Sequence, residues 1–484
     1  MESNTAPLPH NDLSSEAIEQ LSMRAMRRRI LGWVACAAII SVILQAQQTD
    51  LAARSDQAKR ALAAGKYTEA VTLYRGLCRE MPAVAGCVLN LGIALYSAGR
   101  YQEAADELER ALKLDPNMAP ASLLLGLTRA RLGQPTLAIA PLEKAVRAEP
   151  SNRVALLELA DAYLSTGAHK LAVERFQQLA ALDPRNPAAW RGLGLSYTGL
   201  SRNVFSKLDP DSPPALLLLA RSRLAFGEPK TAFALLKRAI EKDPGFPGAH
   251  AALAEAYRQT GHPDWAEVAE ARERAISRTP DGAYREALEA SLQATQAFAR
   301  LTELPESPEL YETESDAARL REAHKESVEL MRKAVALRPG DRRLQQELAR
   351  SLWLDRSYDE ALPMLKKHGM DFELGFALLE TGKAAEAIPL LERAARGSRL
   401  SAEVNAALGR AYLAIGEPAK AIAPLKAVLD TDQDGSLHFQ LARAYQRSGQ
   451  TALALAMDKE SQALRQQKDA RGERMSQERE ITPP

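Results

Sequence analysis

A chain of 484 residues with a formal charge of +1 and only 5% aromatic residues lacks the basic excess that would neutralise a nucleic-acid backbone, so nucleic acid is not an expected partner. No alternating run of β-branched residues is long enough to read as a strand, which leaves an all-α chain. Seven scattered histidines and three cysteines form no metal-ligand spacing and no nucleophile motif. No catalytic residue, metal, cofactor or small-molecule substrate is expected.

In chain order, residues 1–25 are polar and unpatterned. Arg24, Arg27, Arg28 and Arg29 then precede an apolar stretch from Ile30 to Leu44, followed by Gln45-Ala46-Gln47-Gln48, with a small residue where a signal peptidase would cut. Residues 26–46 read as an export segment, either cleaved after Ala46 or kept as an anchor touching the membrane through residues 30–44. A start at Met26 would set three arginines directly against the apolar stretch and leave 1–25 untranslated. In every case the arginines stay in the cytoplasm, so the rest of the chain is expected in the periplasm, free or anchored to the inner membrane.

Beyond that segment Gly65, Gly99, Gly133 and Gly167 recur every 34 residues, and Pro82, Pro116, Pro150 and Pro184 keep the same interval. This is the length of one helix-turn-helix unit, with glycine at the inner turn and proline stopping the second helix. Within 85–118 the order Leu91, Gly92, Leu95, Gly99, Tyr101, Ala104, Leu108, Ala111, Pro116 alternates large and small residues where two helices approach closely. Leu125, Gly126, Gly133, Ala138, Leu142, Ala145 and Pro150 repeat it, as do Leu159, Ala160, Tyr163, Gly167, Ala172, Phe176 and Pro184.

These spaced residues resemble the tetratricopeptide repeat, over most of the chain. The resemblance implies an α-solenoid, a right-handed superhelix of stacked helix pairs that binds partners along its inner face. The register is not uniform. A first helix at 187–200 runs into Leu208-Asp209-Pro210, so the fifth repeat reads as truncated, and Gly192, Gly194 and Gly199 read as packing glycines rather than a phosphate loop. Units resume at 213–246 and 247–280, with Trp265 expected to cap the core. The glycine period then fails until Gly382, Gly416 and Gly449. The expected organisation is a repeat array at 51–280, an irregular helical connector at 281–341 containing the breaker Pro305-Glu306-Ser307-Pro308, a second array at 342–468 and a disordered tail at 469–484. Two arches joined by the connector would result.

Cys78 ends one helix and Cys87 starts the next, across the turn at Met81-Pro82, which places them near one another. They read either as a disulfide of an oxidising compartment or as two small buried hydrophobes.

The family's inward positions on the first helix of each unit select two surfaces. Leu89, Ile93, Tyr96, Leu123, Leu127, Leu157 and Leu164 form an apolar strip suited to an amphipathic helix or an apolar peptide. Arg350, Arg410 and Arg443 share the ninth position with Phe376, and Arg447 follows one turn later, a set suited to carboxylates or other anions. Ile93, Leu127 and Asp161 stand where the family's chaperone-tail binders carry asparagine, so that specificity is not implied. The expected function is a non-catalytic scaffold of the bacterial cell envelope that binds protein or peptide partners, in assembly or secretion. The alternative is a periplasmic protein that handles an anionic exopolysaccharide or cell-wall polymer during export.

Overall fold

The computed structural model describes residues 50–279, 282–397 and 401–484; the segments 1–25 and 26–46 lie outside them. Every element among the described residues is helical, and successive helices pack in pairs as an α-solenoid. The chain divides into two compact units between Ala162 and Tyr163.

The first unit contains α1 (50–63), α2 (Tyr67–Glu80), α3 (Ala85–Ser97), α4 (Tyr101–Leu114), α5 (Ala119–Arg131), α6 (Pro135–Ala148) and the start of α7 (Arg153–Ser165). Each inner turn is built the same way. Gly99, at φ +73°, donates its N–H to the Tyr96 carbonyl, and Arg100 donates to Leu95, closing the end of α3 by a left-handed cap that a side chain would strain. Between paired helices a small residue receives a large one: a Cβ on Gly92 would stand 2.8 Å from Leu108, and Gly126 meets Leu142 in the same manner. Ala104, Leu108, Ala138 and Leu142 are fully buried there. Cys78 and Cys87 form a disulfide with Cα atoms 5.7 Å apart.

The second unit holds α8 (His169–Leu182), α9 (Pro187–Phe205), α10 (Pro213–Ala225), α11 (Pro229–Lys242), α12 (Ala249–Gln259), α13 (Pro263–Arg274) and α14 (Gly282–Thr302). Then come α15 (Pro308–Leu320), α16 (His324–Leu337), α17 (Arg342–Leu354), α18 (Tyr358–His368), α19 (Asp371–Glu380) and α20 (Ala384–Gly397). The last are α21 (Ser401–Ala414), α22 (Pro418–Lys426), α23 (Ser436–Arg447) and α24 (Thr451–Glu478).

The fifth repeat is split rather than truncated. Its first helix, α9, makes its main contact with α14, and Gly194 on α9 faces the Phe298 ring on α14 as Gly92 faces Leu108. The helix pairs α10–α11 and α12–α13 are inserted between the two halves, and α9 also reaches α15, where Arg191 pairs with Asp316 at 3.2 Å. Gly192 and Gly199 pack against Phe176 and His169, so all three glycines serve packing.

The segment 281–341 is likewise no irregular connector. From α15 onward the pairs are regular, and the missing turn glycines are replaced by Glu322 (φ 57°) and Arg356 (φ 62°) in the left-handed conformation. Ala323 and Ser357 donate to Ala318 and Leu352, so the cap hydrogen bonds are unchanged. The breaker at 305–308 ends in a buried cap: the Ser307 hydroxyl accepts from the Leu310 N–H at 3.2 Å, and Ser307 and Pro308 are buried while Pro305 and Glu306 are exposed. The expected division at 281–341 is therefore replaced by one at 162/163. The tail also differs from expectation, since α24 continues helical to Glu478 and Ile481 packs against the core of the inserted pairs.

Candidate functional site

Three of the four arginines singled out by position converge. Arg410 on α21 and Arg443 and Arg447 on α23 line one cleft of about 550 Å³, with Leu379, Leu413 and Phe439 as its apolar wall. Arg465 of α24 joins them. Sequence reasoning passed over it because in the family's scheme only first helices line the groove, whereas Arg465 sits on the second helix of the last pair.

The guanidinium groups are held in different ways. Arg410 pairs with Glu380 and lies over the Phe376 ring at 5.6 Å, while Arg447 donates to the Leu413 carbonyl at 3.1 Å. Arg465 lies over the Phe439 ring at 5.1 Å, where a half-exposed aromatic and a cation face the cleft together. Arg443 is exposed and has no carboxylate at ion-pair distance among the described residues. No Asp or Glu is among the residues lining the cleft, and Gln440, at its wall, has a buried amide oxygen without a hydrogen-bond partner. The cleft is thus cationic and partly apolar.

The α23–α24 pair that supplies Arg443, Arg447 and Arg465 is fastened at the cleft's edge by Asp434. Its carboxylate accepts from the Ser436 N–H at 3.0 Å and pairs with Lys468 at 3.2 Å. The hydrogen bonds from Ser436 are the largest cause that holds the Asp434 carboxyl down at about 2, with Lys468 adding to them.

Arg350 does not belong to the cleft. It is spent on Glu347 at 2.6 Å and Glu373 at 3.4 Å, within a chain of ion pairs that runs through Arg319, Asp316, Arg191 and the buried Glu312 to Arg343. Such pairs orient the first helices of α15, α17 and α19 against one another and leave no free guanidinium for a ligand. Phe376 instead stacks edge-on with Trp353 at 5.5 Å.

The apolar strip of the first unit is half-buried rather than open: Leu89, Ile93, Tyr96, Leu123, Leu127 and Leu157 all retain only part of their surface. Leu89 and Tyr96 pack on the core beneath them, and Arg131 donates to the Tyr96 hydroxyl at 3.4 Å. Beside them burial pushes the Glu158 carboxyl above the usual range, against the pull of Arg131. Leu164 lies in the second unit, half-buried on the part of α7 that belongs there. No group of three or more metal-ligating side chains occurs among the described residues.

Profiles described as tetratricopeptide repeat match residues 55–119, 129–195, 223–272 and 378–444, together half of the chain. The chain belongs to the tetratricopeptide repeat family. The second of these matches crosses the start of the split repeat and the third falls within the inserted pairs. Tetratricopeptide repeat domains generally bind protein or peptide partners and are typically non-catalytic scaffolds.

A search of curated protein sequences found no match. Among solved structures, MamA 41-end from Desulfovibrio magneticus RS-1 is 28% identical over 30% of this chain and 82% of its own, with a TM-score of 0.29. A tetratricopeptide repeat protein from Parabacteroides merdae is 13% identical over 62% of this chain and 98% of its own, with a TM-score of 0.33.

Proposed function

We propose that this tetratricopeptide repeat scaffold captures protein partners in the cleft of Arg410, Arg443, Arg447 and Arg465, through an acidic segment or a terminal carboxylate, as a component of the bacterial cell envelope. The observation that carries the reading is a cleft in which Arg443, Arg447 and Arg465 have no acidic lining residue beside them, the fourth guanidinium, Arg410, being paired with Glu380. Arginine suits this task because its planar fork gives a carboxylate two parallel hydrogen bonds. Phe439 and Leu413 add an apolar contact that a purely ionic polymer would not use, which favours a peptide over an exopolysaccharide or cell-wall polymer.

The envelope part of the proposal rests on Arg24 to Arg29 ahead of the Ile30–Leu44 stretch. The Cys78–Cys87 bridge supports it, since disulfides persist in oxidising compartments. The role is binding in assembly or secretion, with no bond-making step.

Anisotropy titration with a fluorescent peptide ending in Asp-Asp-Phe tests the cleft. Arg443→Ala and Arg447→Ala should each weaken binding about tenfold, as expected for loss of a charge-assisted hydrogen bond, and rising salt should weaken it further. Tighter retention of a polyuronate than of the peptide would favour the polymer reading, and unchanged affinity in both variants would refute the cleft. A reporter active only outside the cytoplasm, fused after Asp50, tests export: activity is expected, and activity of a cytoplasm-only reporter instead would overturn it.

A further inference from the structure

The inserted pairs α10–α13 form a short array of their own, and a stack of helical repeats presents an apolar face wherever it stops. After Arg274 the chain leaves α13 without starting another pair there, and continues as α14 along α9. A different part of the protein meets the inserted pairs. Ile481 packs against the cluster of Leu217, Phe233, Leu253 and Tyr257, and the Tyr257 hydroxyl donates a 2.9 Å hydrogen bond to the Thr482 carbonyl.

The receiving side is aromatic and rigid. Tyr257 is 1% exposed, with Trp265 edge-on at 5.6 Å and Phe233 tilted against it at 5.9 Å; His262 in turn stacks on Trp265 at 4.1 Å. The arriving segment, Ile481-Thr482-Pro483-Pro484, has complementary chemistry. Consecutive prolines fix an extended backbone and carry no N–H, and the residue before a proline is held extended too. Such a segment loses little entropy on docking; Ile481 supplies its apolar contact and the Thr482 carbonyl accepts its hydrogen bond, while Pro483 and Pro484 hold the backbone extended from exposed positions. Tyr257 supplies the donor at Thr482, the residue before the first proline.

We propose that the inserted pairs α10–α13 are a docking surface for an extended aliphatic-Thr-Pro-Pro segment, and that the chain's own residues 481–484 are its resident occupant. Docking has a structural consequence. α24 brings Arg465 to the cationic cleft and Lys468 to Asp434, so seating residues 481–484 tethers the far end of the helix that completes that cleft. A segment of the same chemistry from a partner would have to displace the tail, which competes at the high local concentration of a tethered ligand.

The test compares the full chain with a chain ending at Glu480, using a fluorescein-labelled peptide that ends in Ile-Thr-Pro-Pro amide, so that it carries no terminal carboxylate for the cationic cleft. The peptide should bind the shortened chain at least about tenfold more tightly than the full one, because tethering no longer competes. In the shortened chain Tyr257→Phe should weaken it about fivefold, the worth of one hydrogen bond, and Lys113→Ala, at an exposed position on α4, should leave it unchanged. In the full chain Ile481→Asp should speed amide exchange in α12. Failure of the peptide to bind the shortened chain, equal binding to both, or unchanged exchange in the Ile481→Asp chain would overturn the proposal. So would a dimeric mass in light scattering that becomes monomeric on truncation, since the tail would then sit on a second copy.

Discussion

Phe298 fills the notch left by Gly194, although the whole of α10–α13 lies between them in the chain. Leu108 fills Gly92 in the same way within a contiguous repeat, and so do Leu391 at Gly375 and Leu425 at Gly409. The unit of packing in this solenoid is therefore a helix pair defined by a small-to-large interlock, and the two helices need not be neighbours in sequence.

Gly194→Ala places a Cβ 2.4 Å from the Phe298 ring and should destabilise the second unit by about 1–3 kcal/mol through overpacking. Gly76→Ala, in the interior of α2 where nothing stands within 4 Å of the new Cβ, should instead stabilise by about 0.5–1 kcal/mol, the helix-propensity difference. Urea unfolding of both variants checks the contrast; two effects of the same sign would contradict the split repeat.

Glu322 and Arg356 carry side chains in a conformation that costs an L-residue about 1–2 kcal/mol. Both are exposed. Glu322→Gly and Arg356→Gly should therefore raise stability by up to about 1 kcal/mol each, even though glycine is normally the weaker choice for ordering a chain. Differential scanning calorimetry would show the second unit melting later in the double variant. An earlier melt would mean these turns are not strained.

Asp434 gives a pH dependence whose direction is fixed. Its carboxyl is held at about 2, below its unfolded value near 4. The stability it contributes is fully present above the unfolded value and is lost as pH falls through the folded one, between about pH 4 and 2. The side chain is 42% exposed, so solvent screening keeps the contribution below about 1 kcal/mol. Asp434→Asn should cost that amount at pH 7 and a small fraction of it at pH 2, which thermal melts at the two values would measure.

The Cys78–Cys87 bridge closes a short loop at the turn between α2 and α3. Its reduction should lower the stability of the first unit by about 2–3 kcal/mol and leave the second unit unaffected. Calorimetry with and without dithiothreitol reads this directly, and equal shifts in both units would contradict the division at 162/163.

Everything set by neighbours within one repeat was legible from the order of residues. A left-handed turn at Gly99 closes on carbonyls three and five residues back, and Gly92 meets Leu108 across a single hairpin, so both leave a signature at fixed spacing. The ninth-position arginines were legible for the same reason. Which of them remain available depends on contacts between separate helices: Glu373 engages Arg350, Glu380 pairs with Arg410, and Arg465 arrives from α24 to complete the cleft. Tertiary packing also decided that α14, and not a missing helix, completes the fifth repeat, and that Ile481 ends on the inserted pairs. These contacts are held by shape and apolar burial, which depend on which surfaces meet in space and impose no period on the chain between them.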